Sequence, residues 1–240
     1  MWINLALLLL LPFSSPAQEQ QDNPKLEALQ PDKEWKSMGR SLWFDGKTKR
    51  VVLKARVVLR EGVLEHLLCL KGTKEHEAIL ATDAAPRQIH AVLLLTGAQP
   101  GHPVRFVPKF EPPTGTPIAI ELRWRQDGKA LQSDARQWVK DEKANRPLVI
   151  DWVFGGSELF EDPVTKRPRY AADDGDLFTV ANFGSAILDL PIASSANDAD
   201  RVFSTNTEKI PPLGTEVFLV MGPRSEKAKS APNPEAKRNP

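Results

Sequence analysis

The 240-residue chain holds a single cysteine, Cys69. One thiol excludes an intramolecular disulfide, so packing has to supply the stability. It also excludes an iron–sulfur cluster held by this chain alone, because such a cluster needs four ligands, usually cysteines. An excess of charge is missing too: 32 Lys and Arg stand against 31 Asp and Glu. A near-neutral body carries no electrostatic footprint for nucleic acid. Beyond the N-terminus no apolar run approaches the roughly 20 residues of a membrane helix. There is no CxxC, no HExxH, no glycine-rich phosphate loop, no dinucleotide fingerprint and no Ser/His/Asp order. The two glycines of "FGGSELF" at 154–160 read as a strand-ending turn.

What is present first gives an address. Residues 1–17 open with an apolar run, Leu5 to Leu11, followed by Pro12 and a small-residue site at Ser15-Pro16-Ala17. This pattern predicts a signal peptide and an exported chain, periplasmic or secreted. Residues 18–37 are polar, carry Pro24 and Pro31, and read as a linker. At the other end, 223–240 has Arg224, Lys227, Lys229, Lys237 and Arg238 against Glu226 and Glu235. No apolar period accompanies these charges, so a disordered basic tail is expected. Its charge suits at most a weak contact with an anionic envelope surface.

Residues 38–222 form the expected domain, and they are mostly strand-like. In "VVLKARVVLR", Leu53, Ala55, Val57 and Leu59 alternate with Lys54, Arg56, Val58 and Arg60. In "TPIAIELRWR", Ile118, Ile120, Leu122 and Trp124 alternate with Ala119, Glu121, Arg123 and Arg125. Both match half-buried strands of period two. Further strands are predicted at 63–70, 135–140, 148–154, 177–181, 185–189 and 215–221, separated by Gly, Pro, Asn and Asp clusters. Helix signals are confined to one region. Thr73 can cap a short turn through "KEHEAILA". "APRQIHAVLLLTG" then starts with Pro86 and stops at Gly97, with Ile89, Val92 and Leu93 facing the core. The predicted fold is α+β: a strand-rich, mainly antiparallel single domain with one or two short helices after the second strand.

All four histidines and the cysteine fall between His66 and His102. Cys and His are the ligands of zinc and copper. On a regular strand His66 and Cys69 face opposite ways, which sets His66 aside, and His102 lies in a "PGHP" turn. Cys69, His76, Glu77 and His90 remain as the candidate set, with zinc or copper as the metal. The same residues admit a thiol nucleophile, Cys69, with His76 or His90 as base and Glu77 as orienter. Against both stands ordinary packing, since "LLCLK" is an apolar strand and a thiol packs there as a small hydrophobe. Two acidic loops, Asp173/Asp174/Asp176 and Asn197/Asp198/Asp200, offer calcium-type oxygens, although turn chemistry accounts for both. Trp35, Trp43, Trp124, Trp138, Trp152 and Tyr170 offer either a ligand platform or core anchors.

The segments "EGVLEHLLCLKGTKEHEAIL", "IHAVLLLTGAQPGHPV", "DWVFGGS", "VANFGSAILDLP" and "PPLGTEVFLVM" together resemble the YdjY-domain proteins, exported bacterial proteins of largely uncharacterised function. The resemblance spans about residues 40–222. It implies one domain, and it implies that Cys69, His76, Glu77 and His90 are family features. The function read from all this is a non-enzymatic extracytoplasmic binding or accessory module. Two alternatives stay open: a metal-binding or redox accessory protein using Cys69, His76 and His90, and a thiol-dependent hydrolase or transferase.

Overall fold

In the computed structural model of the chain, residues 26–194 and 202–225 are described. The expected signal peptide, the start of the linker, Asn197, Asp198 and Asp200, and the tail from 226 lie outside them. Eight strands close into a barrel: β1 (Arg50–Val57), β2 (His66–Leu70), β3 (Ala78–Thr82), β4 (Pro117–Gln126), β5 (Trp152–Phe154), β6 (Asp176–Thr179), β7 (Leu188–Asp189) and β8 (Glu216–Pro223). Their spatial order is β1-β8-β4-β5-β7-β6-β2-β3, and β3 pairs back to β1. Two neighbouring pairs, β2/β3 and β6/β7, are parallel. Strands Lys36–Gly39 and Leu42–Asp45 extend the sheet from β1, and Lys129–Asp134 pairs with β4.

The alternation read in β1 and β4 is what fills the barrel. Leu53, Ala55 and Val57 of β1 and Ile118, Ile120, Leu122 and Trp124 of β4 all join the main core. Leu219 of β8 lies directly between Leu53 and Leu122. The opposite face of the same wall buries Val52, Phe218 and Val220 beneath Leu29. Trp35 and Trp43 both meet the Phe218 ring edge-on, at 5.4 and 5.8 Å. Leu29 and Trp35, inside the expected linker, therefore pack onto the outside of the barrel. Helix α1 (Pro86–Leu95) has proline in its first turn and turns Ile89, Val92 and Leu93 inward, as its pattern predicts.

The α+β, mainly antiparallel expectation is corrected by this architecture. Among the described residues the domain is mainly β, with 40% in strands and 12% helical, and its sheet is a closed mixed barrel with one α-helix. The error starts at "AILAT". Residues 78–81 read as a continuation of a helical turn, but the turn ends at Glu77 after three residues of 3-10 helix, and Ala78–Thr82 is β3. Every residue of β3 is buried. A strand covered on both faces has no period-two signal, so an apolar pentapeptide cannot be told from a helix by periodicity. The predicted strand at 135–140 is likewise a 3-10 turn, Ala135–Trp138, running into a short strand, Val139–Asp141.

Candidate metal centre

Parallel pairing of β2 with β3 sets His66 opposite Ala78. The residues just before these two strands, Glu65 and Glu77, therefore become lateral neighbours, and the Glu65 amide donates to the Glu77 carbonyl at 3.1 Å. Glu65, His66 and Glu77 each offer a ligand atom, and the three atoms lie within 4.8 Å of one another. All three residues are buried, His66 completely. Among the described residues this is the one group of three or more His, Cys, Asp or Glu brought that close. His76 sits at its rim. Its side chain is 75% exposed, and its Nε2 lies 3.6 Å from Glu77 Oε1.

The imidazole of His66 is fixed from two sides. Its ring stacks on Phe183 at 5.2 Å, and its Nε2 lies 2.9 Å from Asp176 Oδ1. Asp176 also accepts from the Ser185 hydroxyl. Burial by itself would raise the Asp176 carboxyl. Hydrogen bonds from His66 and Ser185, with the nearby charge of Lys74, outweigh burial and hold it below the ordinary carboxylate range. An ionised Asp176 needs a donor, and Nε2 supplies it, which leaves Nδ1 as the ring's other polar atom. That buried Nδ1 has no hydrogen-bond partner among the described residues. A ring nitrogen whose tautomer is set by a carboxylate on the other nitrogen is the usual arrangement of a metal-binding histidine. The same arrangement is not a nucleophile's triad. The serine here bonds the carboxylate and not the imidazole, so the Ser–His contact of such a triad is missing.

A second buried polar group lies close in sequence. Asp189 accepts from Thr179 Oγ1 at 2.9 Å, from Asn182 Nδ2 at 3.1 Å and from the Leu190 amide at 2.7 Å. Burial outweighs these bonds and pushes its carboxyl up to about 7. An unfolded Asp titrates near 3.9. Between about pH 4 and pH 7 the native chain thus keeps a proton that the unfolded chain has lost, and raising pH through that window favours unfolding. Asp176 acts with the opposite sign and lower down: its contribution is present above about pH 4 and fades as pH falls further. In chelator, the urea midpoint should therefore be higher at pH 5 than at pH 8, and Asp189→Asn should flatten that slope. A wild-type midpoint that climbs from pH 5 to pH 8 would refute the assignment to Asp189.

The sequence-selected residues divide. Glu77 belongs to the candidate group and His76 lies at its rim, while Cys69 and His90 are not in it. Cys69 is buried with Ala78 and Ala81 in a small cluster apart from the main core. Burial pushes its thiol up to about 12, so it stays neutral where a nucleophile would need to be thiolate. His90 places Nδ1 3.0 Å from the Gly156 carbonyl and 2.8 Å from the Tyr170 hydroxyl. Burial lowers its pKa, and the ring ties α1 to the segment after β5. Asp173 pairs with Arg87, Asp174 with Arg169 and Asp176 with His66, so these three carboxylates face separate partners. Trp124 and Trp138 meet edge to face inside the core at 5.4 Å, and Trp152 is buried as well, so they are anchors and not a platform.

Sequence reasoning set His66 aside although it is the centre of the group. Its alternation argument asked which residues share a face with Cys69, and Cys69 is the wrong reference. Glu65 and Glu77 are twelve positions apart, which marks nothing unless the parallel register is known. Two of the quoted segments, "EGVLEHLLCLKGTKEHEAIL" and "VANFGSAILDLP", do converge here. The first supplies Glu65, His66, His76 and Glu77, and the second supplies Phe183 and Ser185.

Fold and site together define a closed mixed β-barrel domain with a histidine–carboxylate group at the start of its parallel β2/β3 pair. The YdjY domain matches residues 42–222. The chain belongs to the YdjY domain family. Searches of curated proteins and of solved structures each return no match.

Proposed function

We propose that the chain is an exported, non-enzymatic accessory protein that binds a divalent transition metal, zinc first, through Glu65, His66 and Glu77. The observation that carries this reading is that Glu65, His66 and Glu77, all buried, bring ligand atoms within 4.8 Å of one another, while the buried Nδ1 of His66 has no hydrogen-bond partner among the described residues. Imidazole and carboxylate together suit zinc, with bonds of about 2.0–2.2 Å. Ligand atoms around a tetrahedral zinc lie roughly 3.4 Å apart, so separations of up to 4.8 Å need to contract by no more than about 1.4 Å. His76, at the exposed rim, is placed to supply the outermost ligand or to admit the ion. Copper is the alternative metal for the same imidazole.

The test is elemental analysis of the chain purified without chelator or histidine tag, then dialysed against zinc. About one zinc per chain is expected, lost in Glu65→Gln/Glu77→Gln and in His66→Ala and retained in Cys69→Ser/His90→Ala. Because the ligands must shed protons to bind, zinc should leave as pH falls from about 7 to about 5. No metal in the wild type, or undiminished metal in Glu65→Gln/Glu77→Gln, would sink the proposal. Metal lost only in Cys69→Ser/His90→Ala would return the site to the set read from the sequence.

A further inference from the structure

Residues 100–115, "PGHPVRFVPKFEPPTG", form an arm between α1 and β4. Its base is pinned. Pro100 bridges Gly115 and Arg105 bridges Glu111. The Gly101 amide donates to the Phe154 carbonyl at 2.9 Å, and Thr114 to the His102 carbonyl at 3.0 Å. Gly115 has φ of +136°, and a Cβ there would lie 2.1 Å from the Phe154 carbonyl oxygen, so only glycine lets the arm lie this close to the end of β5. Beyond Arg105 the arm turns apolar side chains outward. Phe106 is 57% exposed, Val107 85% and Phe110 40%. The two phenyl rings lie 6.1 Å apart.

Single exposed apolar residues are ordinary, but three large ones within five positions on a pinned arm call for a covering surface. The charges around them indicate which. The arm's one carboxylate, Glu111, is paired with Arg105 at 3.5 Å, and Lys109 stands between the phenylalanines without an ion pair among the described residues. The hairpin of strands Leu159–Glu161 and Pro168–Tyr170 also exposes Leu159 and Val164. There, however, Glu161 pairs with Lys166 and Asp162 with Arg169, so its charge is mixed.

We propose that the 100–115 arm docks the domain on an anionic phospholipid bilayer. Phe106, Val107 and Phe110 enter the headgroup–acyl boundary, and Lys109 meets lipid phosphate. Aromatic rings favour that interfacial depth, and a protruding tip matches a yielding lipid surface. A cation beside the apolar tip adds attraction to anionic headgroups. Because this inference uses none of the metal ligands, it stands or falls separately from the metal reading.

The experiment uses the full chain carrying Val107→Cys labelled with an environment-sensitive fluorophore. Cys69 is buried, so labelling is confined to the tip. With phosphatidylcholine vesicles containing phosphatidylglycerol, the label should brighten, shift to the blue and be quenched by spin-labelled lipid. In pelleting assays without the label, Phe106→Ser/Phe110→Ser should bind at least about tenfold more weakly. Lys109→Glu should lose about fivefold or more on anionic vesicles and little on neutral ones. The N-terminal apolar run and the basic tail are the same in every variant, so they cancel in the comparison. An unchanged label on vesicle-bound chain, or equal pelleting of Phe106→Ser/Phe110→Ser, would overturn the proposal. So would concentration-dependent self-association that this variant abolishes in the absence of vesicle binding, because it would make the arm a protein interface.

Discussion

Asp176→Ala should lower the free energy of unfolding by about 3–5 kcal/mol. It should also remove metal binding, although Asp176 is not one of the three proposed ligands. The change deletes the acceptor that His66 Nε2 and the Ser185 hydroxyl share. His66 is fully buried, and a buried donor without an acceptor costs its full desolvation, while the half-buried Ser185 hydroxyl loses its partner too. With Nε2 unpaired, the ring loses the hydrogen bond that orients it for a ligand role. Asp176→Asn is the discriminating partner. Its oxygen can still accept from Nε2, while its amide must face Ser185, which can turn its hydroxyl to accept. That variant should lose about 1 kcal/mol, as for one weakened hydrogen bond, and keep most of its zinc. Urea titrations with unchanged m-values, beside elemental analysis, would read both effects. Equal losses for Ala and Asn would mean that charge at Asp176, not acceptance from His66, is what the fold uses.

Trp152→Ala should cost about 3–5 kcal/mol through the cavity it leaves. Trp152 is almost wholly buried in β5, a strand of only three residues that pairs with β4 through Ile118 and Pro117 and with β7 through Val153 and Phe154. Its indole Nε1 donates to the Thr179 carbonyl of β6 at 2.8 Å, reaching past β7. The barrel wall is thinnest here, because β7 has just two residues, and this side chain bridges the gap. Trp152→Phe keeps much of the volume but leaves that carbonyl without its donor, so a smaller loss of about 1–3 kcal/mol is expected. If Trp152→Phe proved as damaging as Trp152→Ala, the hydrogen bond and not the packing would hold this side of the barrel.

How much was legible in the chain follows from where each piece of information resides. The faces of β1 and β4 were readable because one side of each strand is apolar and the other carries Lys, Arg or Glu, so period two is written in the residues themselves. Helix α1 was readable because Pro86, the inward set Ile89, Val92 and Leu93, and Gly97 are local signals. Membership of the YdjY family was readable from the quoted segments. The strand β3 was not, since "AILAT" is buried on both faces and no contrast remains to be read. Half of the rim of the site was seen, in His76 and Glu77, because the two are adjacent and potentially chemical. Cys69 drew attention as the only thiol, yet a lone thiol within an apolar strand packs among alanines.

The sequence by itself determined the alternating faces of β1 and β4, the helix at Pro86–Leu95 and the family. Tertiary structure alone decided that β2 and β3 run parallel, that the sheet closes on itself through β3 and β1, and that Glu65, His66 and Glu77 share one buried place. The reason is physical. Periodicity and capping depend on neighbours a few residues away, whereas register is chosen by the burial of whole strands against partners far along the chain. Asp176 meets the His66 imidazole across 110 residues of sequence, and nothing local to either residue records it.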